Sequence, residues 1–163
     1  MTYCVAVRVS DGLVMLSDTR TNAGVDNISR FSKMFTWEVP GERVIAIMTS
    51  GNLSITQGVI TRISKAVERS REDPGVESIL NADSLYRAAE LVGEAMQGLQ
   101  DQYRNSIQAG GAGADATVVV AGQRRGGRHR LFMVYSAGNF IEAADDTPYF
   151  QLGEHKYGKP ILD

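Results

Sequence analysis

Once Met1 is removed, Thr2 carries a hydroxyl and a free α-amine on one residue, a nucleophile beside a base for its own proton. The amine can take the hydroxyl proton as the oxygen attacks an acyl carbon, then return it to the leaving group. Two further residue types matter: Asp18 ends the run L-V-M-L-S-D, and Lys33 opens the apolar run K-M-F. A partly buried lysine near Thr2 would polarise the hydroxyl and help keep the α-amine neutral, with Asp18 holding the lysine in place. Ser50-Gly51 falls where a strand gives way to a helix, so its amide N–H groups would sit at the positive end of a helix dipole, a setting suited to an oxyanion. Each feature also has a plain reading: a small residue after an initiator methionine, a lysine snorkelling over apolar surface, an ordinary helix cap.

Other reactive residue types fit the plain reading better. Cys4 lies inside a strand pattern with no base beside it in sequence and reads as a small core residue. His129 and His155 are too few and too far apart for a zinc site. Arg124, Arg125, Arg128, His129 and Arg130 read as a solvated hairpin tip. Gly110-Gly111-Ala112-Gly113 follows a helix and precedes a strand, the wrong order for a phosphate-cradling loop.

The elements that must position Thr2, Asp18 and Lys33 begin with a hairpin. Residues 2–9 are Val-rich, Asp11-Gly12 is a two-residue turn signal, and Leu13 to Asp18 returns. That turn predicts Val5 opposite Asp18, which would put Asp18 on the face opposite that of Thr2 unless a bulge or bend intervenes. Residues 19–32 have the composition of a loop. Lys33 to Val39 alternates, Pro40-Gly41-Glu42 turns, and Arg43 to Met48 is an apolar strand. Asn52 caps a helix running to about Ser70, and Pro74-Gly75 prevents its continuation. A second helix starts near Asp83-Ser84, with a stripe of Leu85, Ala88, Val92, Met96 and Leu99. Strands follow at 117–121, 131–135, 140–143 and 149–152. Strands, two packed helices and strands again predict an antiparallel α+β layering in one domain.

Composition bounds the class. The chain has 163 residues, 43% of them hydrophobic and 22% charged, ordinary values for one globular domain. Seventeen Lys plus Arg against nineteen Asp plus Glu leave a net charge of -2, which argues against nucleic acid and membrane surfaces as partners. One cysteine excludes an internal disulfide and suits a reducing compartment. With no signal-peptide pattern and no long apolar run, the expected location is cytoplasmic.

T-Y-C-V-A-V-R-V, D-G-L-V-M-L-S-D-T-R-T-N-A-G, S-K-M-F and A-I-M-T-S-G-N together resemble the opening of proteasome β-type subunits, and L-G-E-H-K-Y-G-K-P-I-L-D resembles the bacterial branch called Anbu, the ancestral beta subunit. The resemblance covers the whole chain as a single proteasome β-type domain, 1–163. It implies a four-layer αββα sandwich of the N-terminal nucleophile hydrolase type, here without the C-terminal third of a typical subunit. It further implies that Thr2 is the nucleophile, that Asp18 and Lys33 support it, and that the Ser50-Gly51 turn binds the oxyanion. Asn22 falls where the family aligns an extended peptide, and Met48 falls at the wall of the specificity pocket. Two departures stand out: Thr2 directly follows Met1 with no propeptide, and Gly153-Glu154 stands where the β-type pattern has Gly-Ser.

The resulting expectation is a threonine-type peptidase or amidohydrolase that acts through an acyl-enzyme ester, needs no metal or organic cofactor, and self-assembles into a ring or open ring-like oligomer. A separate ATP-dependent partner would have to do any unfolding work, since the chain carries no ATPase motif. Two rivals share the residues: a catalytically silent scaffold of the same fold, and an amidase or acyl-transfer enzyme with a small non-peptide substrate.

Overall fold

Small and branched residues alternate in burial along the first strand, so Cys4 and Ala6 are fully buried while Tyr3, Val5 and Val7 occupy its other face. A computed structural model describes residues 2–22, 28–110, 113, 115–154, 156 and 158–162. In chain order the elements are β1 (Tyr3–Val9), β2 (Gly12–Ser17), β3 (Arg20–Asn22), β4 (Ile28–Arg30), β5 (Met34–Val39), β6 (Arg43–Gly51), α1 (Leu53–Glu72), α2 (Leu85–Gly110), β7 (Ala116–Arg124), β8 (Arg130–Val134), β9 (Phe140–Glu142), β10 (Tyr149–Gly153) and α3 (Lys159–Leu162). The α+β order expected from the sequence is present.

A three-stranded sheet of order β10-β1-β2 packs on a five-stranded sheet of order β5-β6-β7-β8-β9, and β3 and β4 form a separate ribbon. Every pairing is antiparallel. Alternate residues of the central strands supply two cores. Ile45, Ile47, Val118, Val120 and Phe132 meet Ile55, Val59, Val92 and Met96 of the helices, while Met48, Val119, Ala121 and Leu131 meet Cys4, Ala6 and Leu152 between the sheets. A strand buried on both faces reads as an unbroken apolar run, which is why 118–121 is V-V-V-A without alternation. Helices, five-stranded sheet and three-stranded sheet make three layers. Beyond them, Val14 and Leu16 of β2 are exposed on the outer face.

Both long helices begin at caps. The Asn52 side chain accepts from the amides of Ser54 and Ile55 at 3.0 and 3.3 Å, and Ser84 Oγ accepts from the Arg87 amide at 3.0 Å. No helix among the described residues is long and apolar enough to cross a membrane.

Two expectations about the site's surroundings change. The first turn is made by Ser10 and Asp11, with Val9 opposite Gly12, so Val5 faces Leu16 and Cys4 faces Ser17. A two-residue slip leaves every side chain on its face, so the hydrophobic pattern cannot choose between the registers. The segment expected to be a loop contains the β3–β4 ribbon, Arg20 opposite Arg30 and Asn22 opposite Ile28. Its residue types favour loops, but backbone amides still need partners, and the ribbon supplies them.

Candidate active site

Thr2, Asp18 and Lys33 are brought together by three different chain ends: the start of β1, the end of β2 and the start of β5. Lys33 Nζ donates to Thr2 Oγ1 at 2.8 Å, to Asp18 Oδ1 and Oδ2 at 2.9 and 2.8 Å, and to the Arg20 carbonyl at 2.5 Å. Lys33 is only 5% exposed. The three ammonium protons thus serve Thr2, Arg20 and the carboxylate. An ammonium so occupied can polarise the Thr2 hydroxyl but has no lone pair with which to accept its proton.

Asp18 is held as firmly. Oδ1 accepts from the Tyr3 amide at 3.0 Å and Oδ2 from the Arg20 amide at 3.1 Å. Partial burial pushes its pKa up, but the Lys33 ammonium and the two amides outweigh this and keep the carboxyl below its ordinary value. The face conflict predicted from a two-residue turn disappears without a bulge. Strand β2 ends at Ser17, so Asp18 has left the pleat, while its own amide still reaches the Tyr3 carbonyl at 3.2 Å. Cys4, next door, is a buried thiol: burial first and then the Asp18 charge raise its pKa to about 11, which leaves it protonated at neutral pH.

The main chain of Thr2 is fixed from the other side by β10. The Glu154 amide donates to the Thr2 carbonyl at 2.7 Å, and Gly153, at φ 82°, brings its Cα against that same carbonyl, where a Cβ would collide. The Gly153-Glu154 pair therefore abuts Thr2, as its match to the family's Gly-Ser pair implied. Glu154 contributes its amide there.

Ser50 and Gly51 line a cleft with Thr2 and Lys33. Gly51 has φ 107°, and an added Cβ would run into the Asp115 carbonyl. The Asn52 amide donates to that Asp115 carbonyl at 2.8 Å, and Ser136 Oγ clamps Ala116 by accepting from its amide at 2.9 Å and donating to its carbonyl at 2.8 Å. The turn is thereby held between β7 and the start of α1.

Met48 is placed elsewhere. It is fully buried between the sheets and absent from the cleft lining, where Thr49 stands with Phe35, Leu53, Thr56 and Gln57. One step along a strand reverses the face, so the family position assigned to Met48 lands on the wrong side of β6. Parity would have found Thr49, two residues before Gly51. Positions 53, 56 and 57 form one face of the first turns of α1. Asn22 sits in β3, its backbone paired with Ile28 of β4. Met1 and His155 lie outside the described residues. Three of the basic hairpin residues are partnered: Arg130 with Glu142 at 2.6 Å, Arg128 with Asp145 at 3.5 Å, and His129 Nε2 on the Val9 carbonyl at 2.8 Å.

Solved structures from several bacteria are similar to the whole of this arrangement. Anbu, the ancestral beta-subunit, from Yersinia bercovieri is 43% identical with a TM-score of 0.87, over 99% of this chain and 65% of that one. Anbu from Pseudomonas aeruginosa, described as a helical assembly, is 45% identical with a TM-score of 0.88, over 99% of this chain and 65% of that one. Anbu from Hyphomicrobium sp. strain MC1 is 40% identical with a TM-score of 0.74, over 99% of this chain and 67% of that one. The chain belongs to the Anbu family. It spans 65% of the length of the Yersinia and Pseudomonas Anbu chains. No protein-family model matches it, and no curated protein does. The Anbu relationship brings in proteasome-β-like architecture, and the Thr2, Asp18 and Lys33 cluster lies within the shared region.

Proposed function

We propose that the chain is a proteasome-type N-terminal threonine hydrolase cleaving peptide or amide bonds. The observation that carries this reading is the 2.8 Å hydrogen bond from Lys33 Nζ to Thr2 Oγ1, with the same Nζ held by Asp18. With Met1 gone, Thr2 Oγ1 attacks the acyl carbon while the Thr2 α-amine takes the hydroxyl proton. The carbonyl π electrons pass to oxygen, which the Gly51 amide stabilises. Collapse breaks the C–N bond, and the leaving amine takes the proton from the α-ammonium. Water then attacks the Thr2 ester, the α-amine accepting its proton, and release of the acid restores the hydroxyl. Lys33 supports every step by polarising Oγ1 and, through its charge, keeping the nearby α-amine neutral. The residues use acid-base and nucleophilic chemistry alone.

The fold proposal follows the family: a second helix layer packs on the outer face of the three-stranded sheet, where Val14 and Leu16 are exposed. Self-assembly is supported by the helical assembly described for the Pseudomonas relative. The cytoplasm is the proposed location, and any ATP-dependent partner would act on substrate before it reaches this chain.

Intact-mass measurement tests the reading in two steps. The mature protein should have lost the mass of Met1, and a threonine-directed peptide epoxyketone should add one equivalent that Thr2→Ala cannot take up. Retained Met1 makes the Thr2 nitrogen an amide, and the scaffold reading then replaces this one.

A further inference from the structure

The basic residues between 124 and 130 do not form one solvated tip. Arg124 turns toward Glu42 and donates to the Asp83 carbonyl. Arg128, His129 and Arg130 turn instead to Arg8, near the end of β1, and line with it an open pocket of about 620 Å³. An adjoining pocket of about 480 Å³ shares Arg8, Arg128, His129 and Asp145. Both volumes fall within the range of small-molecule sites, about 300–1,000 Å³. Six residues of extended strand set Arg8 about 20 Å from Thr2, so this pocket is separate from the cleft there.

Arg8 is the odd member. Its side chain is 11% exposed, yet the one hydrogen bond its guanidinium makes among the described residues runs from Nη2 to Asp145 Oδ1 at 2.7 Å. A guanidinium carries five N–H donors and keeps its charge, so four donors of a nearly covered cation are left for the pocket to satisfy. The same Asp145 Oδ1 takes Arg128 Nη2 at 3.5 Å, although the Asp145 side chain is 86% exposed. Two cations thus share one carboxylate. An ion pair to so exposed a partner contributes about 0–1 kcal/mol, so Asp145 can leave at small cost.

The other charges cancel. Arg130 and Glu142 are joined by two hydrogen bonds of 2.7 and 2.6 Å. Arg130 above all, with the charges of Arg8 and Arg128 adding to it against the effect of burial, holds the Glu142 carboxyl below its ordinary value. His129 Nε2 donates to the Val9 carbonyl at 2.8 Å, which fixes the ring's tautomer and holds it at the pocket wall. One positive charge remains uncompensated.

We propose that this pocket binds a phosphoryl group carried by a small phosphate ester, with Arg8 and Arg128 as its ligands and Asp145 as the internal carboxylate it displaces. A carboxylate entering here would only exchange with Asp145, one charge for one. A phosphoryl dianion neutralises both guanidinia together and offers several oxygens to their forks. Apart from His129 the lining holds no aromatic ring on which a base could stack, which favours a compact ester. The site is independent of the Thr2 reading.

Calorimetric titration of the full chain in low-salt chloride buffer tests it, with glycerol 3-phosphate, inorganic phosphate, malonate and a phosphoserine tetrapeptide as probes. Glycerol 3-phosphate should bind saturably at one site, with malonate weaker by about tenfold or more. Arg8→Gln should weaken the ester by about tenfold or more. Arg128→Gln, at an exposed position, should also weaken it and stands in if Arg8→Gln does not fold. Asp145→Asn removes the internal competitor and should tighten binding by about threefold. Arg125→Gln, which lies on the Glu42 side of the hairpin, should leave binding unchanged. No saturable binding by wild type and by Asp145→Asn overturns the inference, as does an affinity unmoved in both Arg8→Gln and Arg128→Gln. Malonate equal to the ester overturns the phosphoryl class, and a phosphoserine peptide that binds more tightly than glycerol 3-phosphate overturns the small ester in favour of a phosphorylated protein.

Discussion

Lys33 and Thr2, 31 residues apart in sequence, are joined by a 2.8 Å hydrogen bond whose donor is 95% withdrawn from solvent. Nothing local aligns them. Thr2 is steered by the Glu154 amide on its carbonyl, and Lys33 by the Thr49 amide on its own. The pair joins the start of β1, the central strand of one sheet, to the start of β5, an edge strand of the other.

Replacing Lys33 by Met should lower the rate of covalent labelling at Thr2 by about a hundredfold or more, the scale of a lost proton-transfer or charge-stabilising partner. Unfolding in urea should also shift to lower concentration, because Asp18 and the Arg20 carbonyl lose their common donor. Labelling within threefold of wild type would remove Lys33 from the mechanism.

Acid should reach the cluster through Asp18. Its carboxyl lies below the ordinary 3.8 in the folded protein because hydrogen bonds and the Lys33 charge outweigh the opposing effect of burial. A folded value below the unfolded one means that the contribution is complete above the unfolded pKa and is lost as pH falls through the folded one. The melting temperature of wild type should therefore exceed that of Asp18→Asn near neutrality, and the gap should close below about pH 4. A gap that stays constant down to pH 2.5 contradicts this.

Gly51→Ala tests the turn. Its φ of 107° and the proximity of the Asp115 carbonyl oppose a side chain. A loss of about 1–3 kcal/mol in unfolding free energy is expected, together with slower labelling at Thr2. The companion Gly113→Ala, with open space around it, should change neither.

Met48→Ala separates packing from specificity. A fully buried methionine between the sheets should cost about 2–5 kcal/mol on truncation. The relative labelling rates of peptide epoxyketones that differ in the side chain next to the electrophile should stay as in wild type, because Met48 faces away from the cleft. An altered ranking would put Met48 back at the pocket wall.

Cys4 should be slow to alkylate. With a thiol pKa of about 11 and no exposed surface, its reaction with iodoacetamide at pH 8 should match the rate of global unfolding. Rapid modification of native protein would show that the edge between β1 and β2 opens locally.

Much of the fold was readable because its signals are local. Asn52 and Ser84 cap helices as their types foretell, and the stripe from Leu85 to Leu99 faces the core. The β3–β4 ribbon was not, since Thr21, Asn22 and Ser29 are residues that composition assigns to loops. The first hairpin's register escaped for a different reason: a slip of two residues changes which backbone groups pair and no side chain's face. The family resemblance points to Met48, and only the parity of β6 in the folded sheet turns Thr49 instead toward the cleft.

By itself the sequence determined the residue types on which any chemistry must draw, namely a hydroxyl at position two, a carboxylate after a hairpin and a lysine before an apolar strand, together with the order of strands and helices that carries them. Side-chain periodicity and caps act over a few residues, so they survive in one dimension. The tertiary structure alone decided that Asp18 leaves the pleat to hold Lys33, that Lys33 reaches Thr2, and that Thr49 rather than Met48 faces the cleft. Those outcomes depend on where strands end and on how the two sheets pack, and contacts across the whole chain set both.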